Sequence, residues 1–448
     1  MVSRGSRTFV VGLALGLALG LAPGLNPGSP GNVGIASAVA GPALIEEPEL
    51  RATVAVGLAA TTTRLIAPTL FGIHPGLNPT SPTRAVATSW RLWDSNTMWP
   101  TLQPTRSGAF DWSSLDALVA RARAQGVTDF VIPLGLTPRW AAGDSAPAGP
   151  YGPSSSTAPP LSDDDFRAYV TALAHHVTEF TGTTWAFEAW NEADLTTFFT
   201  GTPAQAARLT AIADEAAKTV NPGITIVSAS VTTRRGIKPD GFFPLYLRAL
   251  AAEHGFGGRP WPTDVFALHP YPSGTAGPTA ASAGVALFKK VLARENAPAR
   301  PLWNTEFNFG VAGPGTIPHT SFAGVAAQYM ARAFLDSMRL GVSRVYPYNW
   351  APAGNYLGVA LFTDTPATKA LTTLKGWLSG VRLIGCTGTE LYTCHFSRGR
   401  TTFRVLWRDS SSSLVRLTRA TRVCPASGGT CIVTIRPLRV GAMPVRLS

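Results

Sequence analysis

The chain has 448 residues, of which 45% are hydrophobic and 14% charged, and a formal net charge of +12. That much apolar material excludes general disorder, and the length suits a large α/β barrel with an appended domain. The charge is uneven: residues 381–448 carry eleven Arg, no Lys and only Glu390 and Asp409, so the central region is close to neutral and its substrate need not be charged.

Taken in chain order, the first feature is an export signal. Arg4 and Arg7 precede the apolar run FVVGLALGLALGLA, then a Pro/Gly-rich stretch and ASAVAG, where Ala38-Val39-Ala40 reads as a cleavage site. Residues 1–40 are therefore expected to be a signal peptide and 41–65 a lead-in segment. No other apolar run is long enough to span a bilayer, so a secreted protein without membrane contact after signal removal is expected.

Over residues 66–380, apolar β-type runs alternate with amphipathic stretches. The strand candidates are TLFGIHP (69–75), TSWRLWD (88–94), DFVIPLGL (129–136), WAFEAWNE (185–192), ITIVSAS (224–230), DVFALHP (264–270), PLWNTEF (301–307) and RVYPYNW (344–350). Helical stretches lie between them. Ser162 ahead of three Asp suits a helix start, while Gly126 and Gly341 suit helix ends. Eight strand–helix units in succession predict an α/β fold, a (β/α)8 TIM barrel. A doubly wound open sheet would open with a Gly-rich phosphate turn, and FGIHPGLNPTSP is not one. The segment 143–160, GDSAPAGPYGPSSSTAPP, reads as a long flexible loop after the third strand.

Beyond residue 381 the period changes to short strands with turns, a small C-terminal all-β domain. Its cysteines form two close pairs, Cys386 with Cys394 and Cys424 with Cys431, which in an exported chain read as local disulfides. Zinc is disfavoured, since the spacings are not Cys-x-x-Cys and only His395 is near. The Arg-rich surface is read first as solvated and second as a contact for an anionic wall polymer. Nucleic acid is not expected, because the basic residues are interleaved with hydroxyls rather than aromatics.

Chemistry in such a barrel belongs at the C-terminal strand ends. Glu192 closes the fourth strand and Glu306 the seventh, which face each other across the mouth. Each follows an apolar or aromatic run and has an amide neighbour, Asn191 or Asn304. Two carboxyls flanking one bond are what glycoside hydrolysis requires, one to protonate the leaving oxygen and one to attack or activate water. The motifs WNE and NTEF resemble the retaining glycosidases of clan A. Within that clan RLWDSNTMW, FDWSSLDALVARARAQG and WNEADLTTFFTGT make the chain most similar to glycoside hydrolase family 39, the β-xylosidase and α-L-iduronidase family. The resemblance covers roughly residues 66–380 and implies Glu192 as acid/base and Glu306 as nucleophile, acting on a carbohydrate without cofactor or metal. Ala193 stands where that family usually has Pro, a change that stiffens less and removes no chemical group.

Several residues are expected to support the pair. Arg91 would point into the mouth and hold a carboxylate, either Glu306 or the inward-facing Glu188, which must be paired or neutral. His269 and Tyr271 end the sixth strand, and in relatives such residues bond the nucleophile. His74 is a candidate sugar contact. Trp350 and Trp140 offer flat faces to a sugar, with Trp93 and Asp94 nearby. His175 and His176 lie mid-helix, facing outward. A glycan-binding protein without turnover is the alternative, though binding alone does not need two opposed carboxyls.

Overall fold

A computed structural model describes residues 44–45, 63–312, 319–352 and 356–448. The signal peptide expected at 1–40, and most of the lead-in segment, lie outside the described residues. No helix among the described residues is long and apolar enough to cross a membrane.

The expected strands form two parallel arcs. The first runs Thr225–Val227, Thr184–Glu188, Asp129–Pro133, Ser89–Arg91, Gly72–Ile73, and the second Val231–Thr232, Phe266–His269, Leu302–Phe307, Val342–Pro347. Val227 bridges to Val265 at one seam and Phe71 to Val345 at the other, both in parallel. Val131, Ala186, Val227, Val265, Ala267, Trp303 and Tyr346 pack together as one buried cluster of alternate strand residues. Helices such as Asp163–Thr178, Pro203–Val220 and Ala326–Arg339 follow the strands. Ser162 caps the first of these, accepting from the Asp165 amide, and Gly126 and Gly341 take positive φ just past two helix ends.

Three expectations need correction. The first strand is followed by no helix, because residues 75–82 hold Pro75, Pro79 and Pro82, which cannot continue one. Segment 143–160 is not a loose loop: Ala148–Gly149 and Gly152–Ser156 pair, and the latter also pairs with Thr137–Pro138. Hydrogen bonds from Ser156 Oγ to Pro147 O (2.7 Å) and from Thr137 Oγ1 to Ala158 O (2.6 Å) fasten it. The lead-in segment expected over 41–65 is also not separate at its end, since Arg64–Leu65 pairs with Arg382–Thr387 and joins the C-terminal sheet.

That sheet has seven antiparallel strands, with a smaller three-stranded sheet beside it. Disulfides join Cys386 to Cys394 and Cys424 to Cys431. The basic surface is not wholly solvated. Arg398 Nη2 donates to the carbonyls of Gly376, Trp377 and Ser379 at the end of helix Pro366–Leu378, where a cation is favoured. Asp409 runs the other way, accepting from Arg332 of helix Ala326–Arg339 at 2.5 Å. Trp407 donates to Asp336 of the same helix at 3.2 Å, so the β domain is docked by paired charges as well as by apolar packing.

Candidate active site

The strand ends converge on one buried constellation. Arg91, at the end of its strand, is fully buried, a position a guanidinium holds only when its donors are paired. Its Nε and Nη2 take the Glu188 carboxylate in a two-point grip (2.8 and 2.7 Å), and Nη2 also reaches Asn191 Oδ1 (2.7 Å). Nη1 donates to Glu306 Oε2 at 2.7 Å. The two partners weighed from the sequence are thus held by one residue at once. Burial works against the Arg91 charge, but Glu188 and Glu306 together keep it protonated.

Glu306 sits on strand Leu302–Phe307 with its second oxygen taken by the Tyr271 hydroxyl at 2.9 Å. Burial raises its pKa, opposed by the adjacent His269 ring and by the Arg91 charge. Two donors on the carboxylate favour its ionised form. Glu192 is differently placed. The strand stops at Glu188, so the alternation expected through residue 192 does not hold, and Glu192 lies in a turn with φ of 42°. A non-glycine residue there costs on the order of 1–3 kcal/mol and persists only where its surroundings impose it. Here Ser230 imposes it: its Oγ accepts from the Glu192 amide (3.1 Å) and its carbonyl from Ala193 N (3.0 Å).

Glu192 Oε1 lies 3.0 Å from His269 Nδ1, while His269 Nε2 lies 3.1 Å from the Thr305 hydroxyl. Burial pushes the His269 ring down to about 4, so it is neutral near pH 7. Burial also pushes the Glu192 carboxyl up to about 7, with the Glu188 and Asp94 charges adding to it and Arg234 and Arg91 opposing it. The native chain therefore keeps a proton that the unfolded chain loses between about pH 4.5 and 7. Its contribution to stability is full below 4.5, declines as pH rises, and is gone above 7. We expect Glu192→Gln to lack this decline, gaining up to about 3 kcal/mol relative to wild type between pH 4 and pH 8 in urea unfolding. Parallel pH profiles for the two proteins would overturn it.

One oxygen of Glu192, one of Glu306 and one ring nitrogen of His269 all lie within 4.8 Å of one another. Such a trio has the count for a metal ion, but its donors are engaged: both Glu306 oxygens accept hydrogen bonds, and both His269 nitrogens are bonded. A dication would also face the Arg91 charge.

The remaining candidates divide. Asn191 joins the cluster through Oδ1, and its buried Nδ2 has no partner among the described residues. His74 is fully buried, with Nε2 3.1 Å from Thr305 O and 3.9 Å from Glu306 Oε2, so it braces the seventh strand instead of presenting a ring to a sugar. Asp94 accepts from Tyr348 at 2.5 Å and from Tyr151. Trp350 is 3% exposed, packs on Phe362, and has an indole N–H without partner among the described residues. Trp140 stands apart: it belongs to the short helix Arg139–Ala142, its N–H donates to Gln103 O (2.9 Å), and its ring meets Trp99 and Arg106. Of the paired histidines, His176 stacks on Trp112 and contacts Asp116 at 2.7 Å on the outer layer.

Four contributors escaped the sequence reading. Ser230 and Thr305 act through hydroxyls that no local pattern distinguishes from core residues. Tyr151, an aromatic inside a Gly/Pro/Ser segment, meets Trp93 edge-on at 5.7 Å and was a legible signal. Arg234, past the fifth strand, places its guanidinium 4.7 Å from the Tyr271 ring centre.

No protein-family model matches the chain, and no curated protein matches it in sequence. Solved structures do match in shape. A glucosidase from Croceicoccus marinus aligns with TM-score 0.60 at 15% identity, over 86% of this chain and 96% of that one. A GH39 β-xylosidase from Caulobacter crescentus aligns with TM-score 0.61 at 15% identity, over 87% and 98%. A GH30 endoxylanase from Clostridium papyrosolvens aligns with TM-score 0.57 at 15% identity, over 87% and 97%. These alignments run almost the full length of each partner, so the chain shares the whole fold of those proteins.

Proposed function

We propose that this protein is a retaining glycoside hydrolase of clan A type on a closed (β/α)8 barrel, most similar to family 39 and β-xylosidase-like in substrate. The observation that carries the reading is the approach of Glu192 and Glu306 to within 4.8 Å, oxygen to oxygen, in unlike surroundings. Retaining enzymes hold their carboxyls roughly 5–5.5 Å apart, and inverting ones leave a gap of about 6.5–9.5 Å for water. The parallel bridges at both seams support the closed barrel.

In this reading the Glu192 proton passes to the glycosidic oxygen as that bond breaks, and Glu306 forms a bond to the anomeric carbon. Water then attacks that carbon, giving its proton to Glu192 and displacing Glu306, so the starting configuration returns. Arg91 and Tyr271 hold Glu306 ionised and aimed. His269 and Ser230 hold Glu192, and the Asn191 amide, without a partner among the described residues, is placed to donate to a sugar hydroxyl. The N-terminal apolar run and the two disulfides support export. Exposed Arg400, Arg419 and Arg422 leave the β domain suited to an anionic wall polymer.

The test is a panel of aryl glycosides and cell-wall oligosaccharides, with the product anomer followed by NMR. Hydrolysis of a β-xyloside with retained configuration is expected. Binding of oligosaccharide without turnover of any member would replace the enzyme by a glycan-binding protein.

A further inference from the structure

A row of cations lies along the seam between the barrel and the β domain, at the end of the barrel away from the mouth. A groove of about 460 Å³ opens there, lined by Ala85, Thr372, Lys375, Gly376, Ser379 and Arg398. Its position follows from what it borders. Ala85 lies ahead of the second strand, Ser89–Arg91, and Lys375 lies near the end of helix Pro366–Leu378, beyond which Gly380 donates to Ile66 O ahead of the first strand. Ser379 Oγ, enclosed beside the groove, has no partner among the described residues.

Lys375 is half-buried, and its ammonium donates to the Arg84 carbonyl. Burial and the Arg84 charge push it down to about 8. Arg398 comes from strand Leu391–Arg398, with Nη2 spent on the helix carbonyls. Strand register puts Arg398, Arg422 and Arg446 on one face of the sheet. Arg446 is half-buried against the Phe403 ring at 4.3 Å, its Nε has no partner among the described residues, and burial with the Arg398 and Arg422 charges lowers its pKa. No carboxylate answers this row among the described residues. The two acids of the β domain are committed elsewhere, Glu390 to Arg408 and Asp409 to Arg332, and residues 83–88 and 366–380 contain none.

Half-buried cations without counter-charges are unfavourable until an anion joins them. From this placement we infer that the groove is a docking site for a phosphodiester-linked wall polymer, a polyol phosphate chain laid along Arg84, Lys375, Arg398, Arg446 and Arg422. A carboxylate asks for one guanidinium fork in one plane, and the Arg398 fork is half spent. A phosphate accepts from several directions and takes an ammonium as a point charge, which suits donors arriving from a helix, a strand and the segment ahead of the second strand. An exported chain, as proposed above, meets wall polymer and not nucleic acid. The inference rests on and deepens the wall-polymer reading of the β domain, and it is independent of the hydrolase chemistry. Because groove and mouth lie at opposite ends of the barrel, a polymer held there leaves Glu192 and Glu306 open to substrate.

The experiment measures the Kd of the full chain for poly(glycerol phosphate) by calorimetry. Wild type is expected to bind at low salt and to weaken steeply as ionic strength rises. Lys375→Gln with Arg446→Gln should weaken binding by about 10-fold or more, whereas Arg400→Gln with Arg419→Gln, which removes the same charge from exposed sites, should cost less than about 2-fold. Arg84→Gln alone, an exposed change that keeps the backbone carbonyl used by Lys375, should cost about 3-fold and decides the matter if the double variant does not fold. Equal losses in the two double variants would mean attraction by net charge alone and overturn the groove. Loss confined to Arg400 and Arg419 also overturns it, while the wall-polymer reading stands on the exposed arginines. No binding by wild type removes both, and tighter binding of polygalacturonate or of duplex DNA overturns the phosphate polymer as the occupant.

Discussion

Glu306→Ala is expected to lose turnover of an aryl β-xyloside by about 10⁴-fold or more, and to regain it with azide, which releases a glycosyl azide of inverted configuration. Removing a nucleophile deletes the covalent intermediate, and the small anion fits the space the side chain leaves. The fold should survive, because Arg91 keeps its two-point grip on Glu188 when Glu306 is gone. Activity within a few-fold of wild type, or rescue with retained configuration, would remove Glu306 from that role. A far-UV CD spectrum matching wild type separates lost chemistry from lost structure.

Arg91→Met should have the largest effect on stability. It strands two buried carboxylates, Glu188 and Glu306, and leaves Asn191 Oδ1 without its donor. Removing one partner of a buried ion pair costs about 3–5 kcal/mol, here for a group that serves two acids. We expect a fall of that size in chemical unfolding, with activity lost as well. Adding Glu188→Gln should restore part of the stability, since one stranded charge is removed, and none of the activity, since Glu306 is still unheld. A double variant no more stable than Arg91→Met would show that the Glu188–Arg91 pair is not what suffers.

Much of this architecture is legible in the sequence. Strand and helix order follow from the alternation of apolar runs with amphipathic stretches, and cap chemistry at Ser162, Gly126 and Gly341 is local. The departures are where one local rule met another, or met a contact remote in the chain. Prolines 75, 79 and 82 removed an expected helix, and hydroxyl and backbone bonds around Ser156 gave order to a segment whose composition suggests none. The strand ends at Glu188, four residues before Glu192, so the two acids share the mouth for different reasons. Trp140, expected to offer a flat face to a sugar, turns into a packed layer with Trp99.

By itself the sequence determined which acids could meet: Glu192 and Glu306 close apolar runs, where a carboxylate is costly to hide unless something uses it. It determined the cysteine pairs too, through their short separation. Only the tertiary structure decided that Arg91 serves both Glu188 and Glu306, that Ser230 holds Glu192 in a left-handed turn, and that Arg234 stands over Tyr271. The reason is physical. Periodicity and capping act over a few neighbouring residues, whereas the pairing of charges depends on distances that are set only when strands remote in the chain lie side by side.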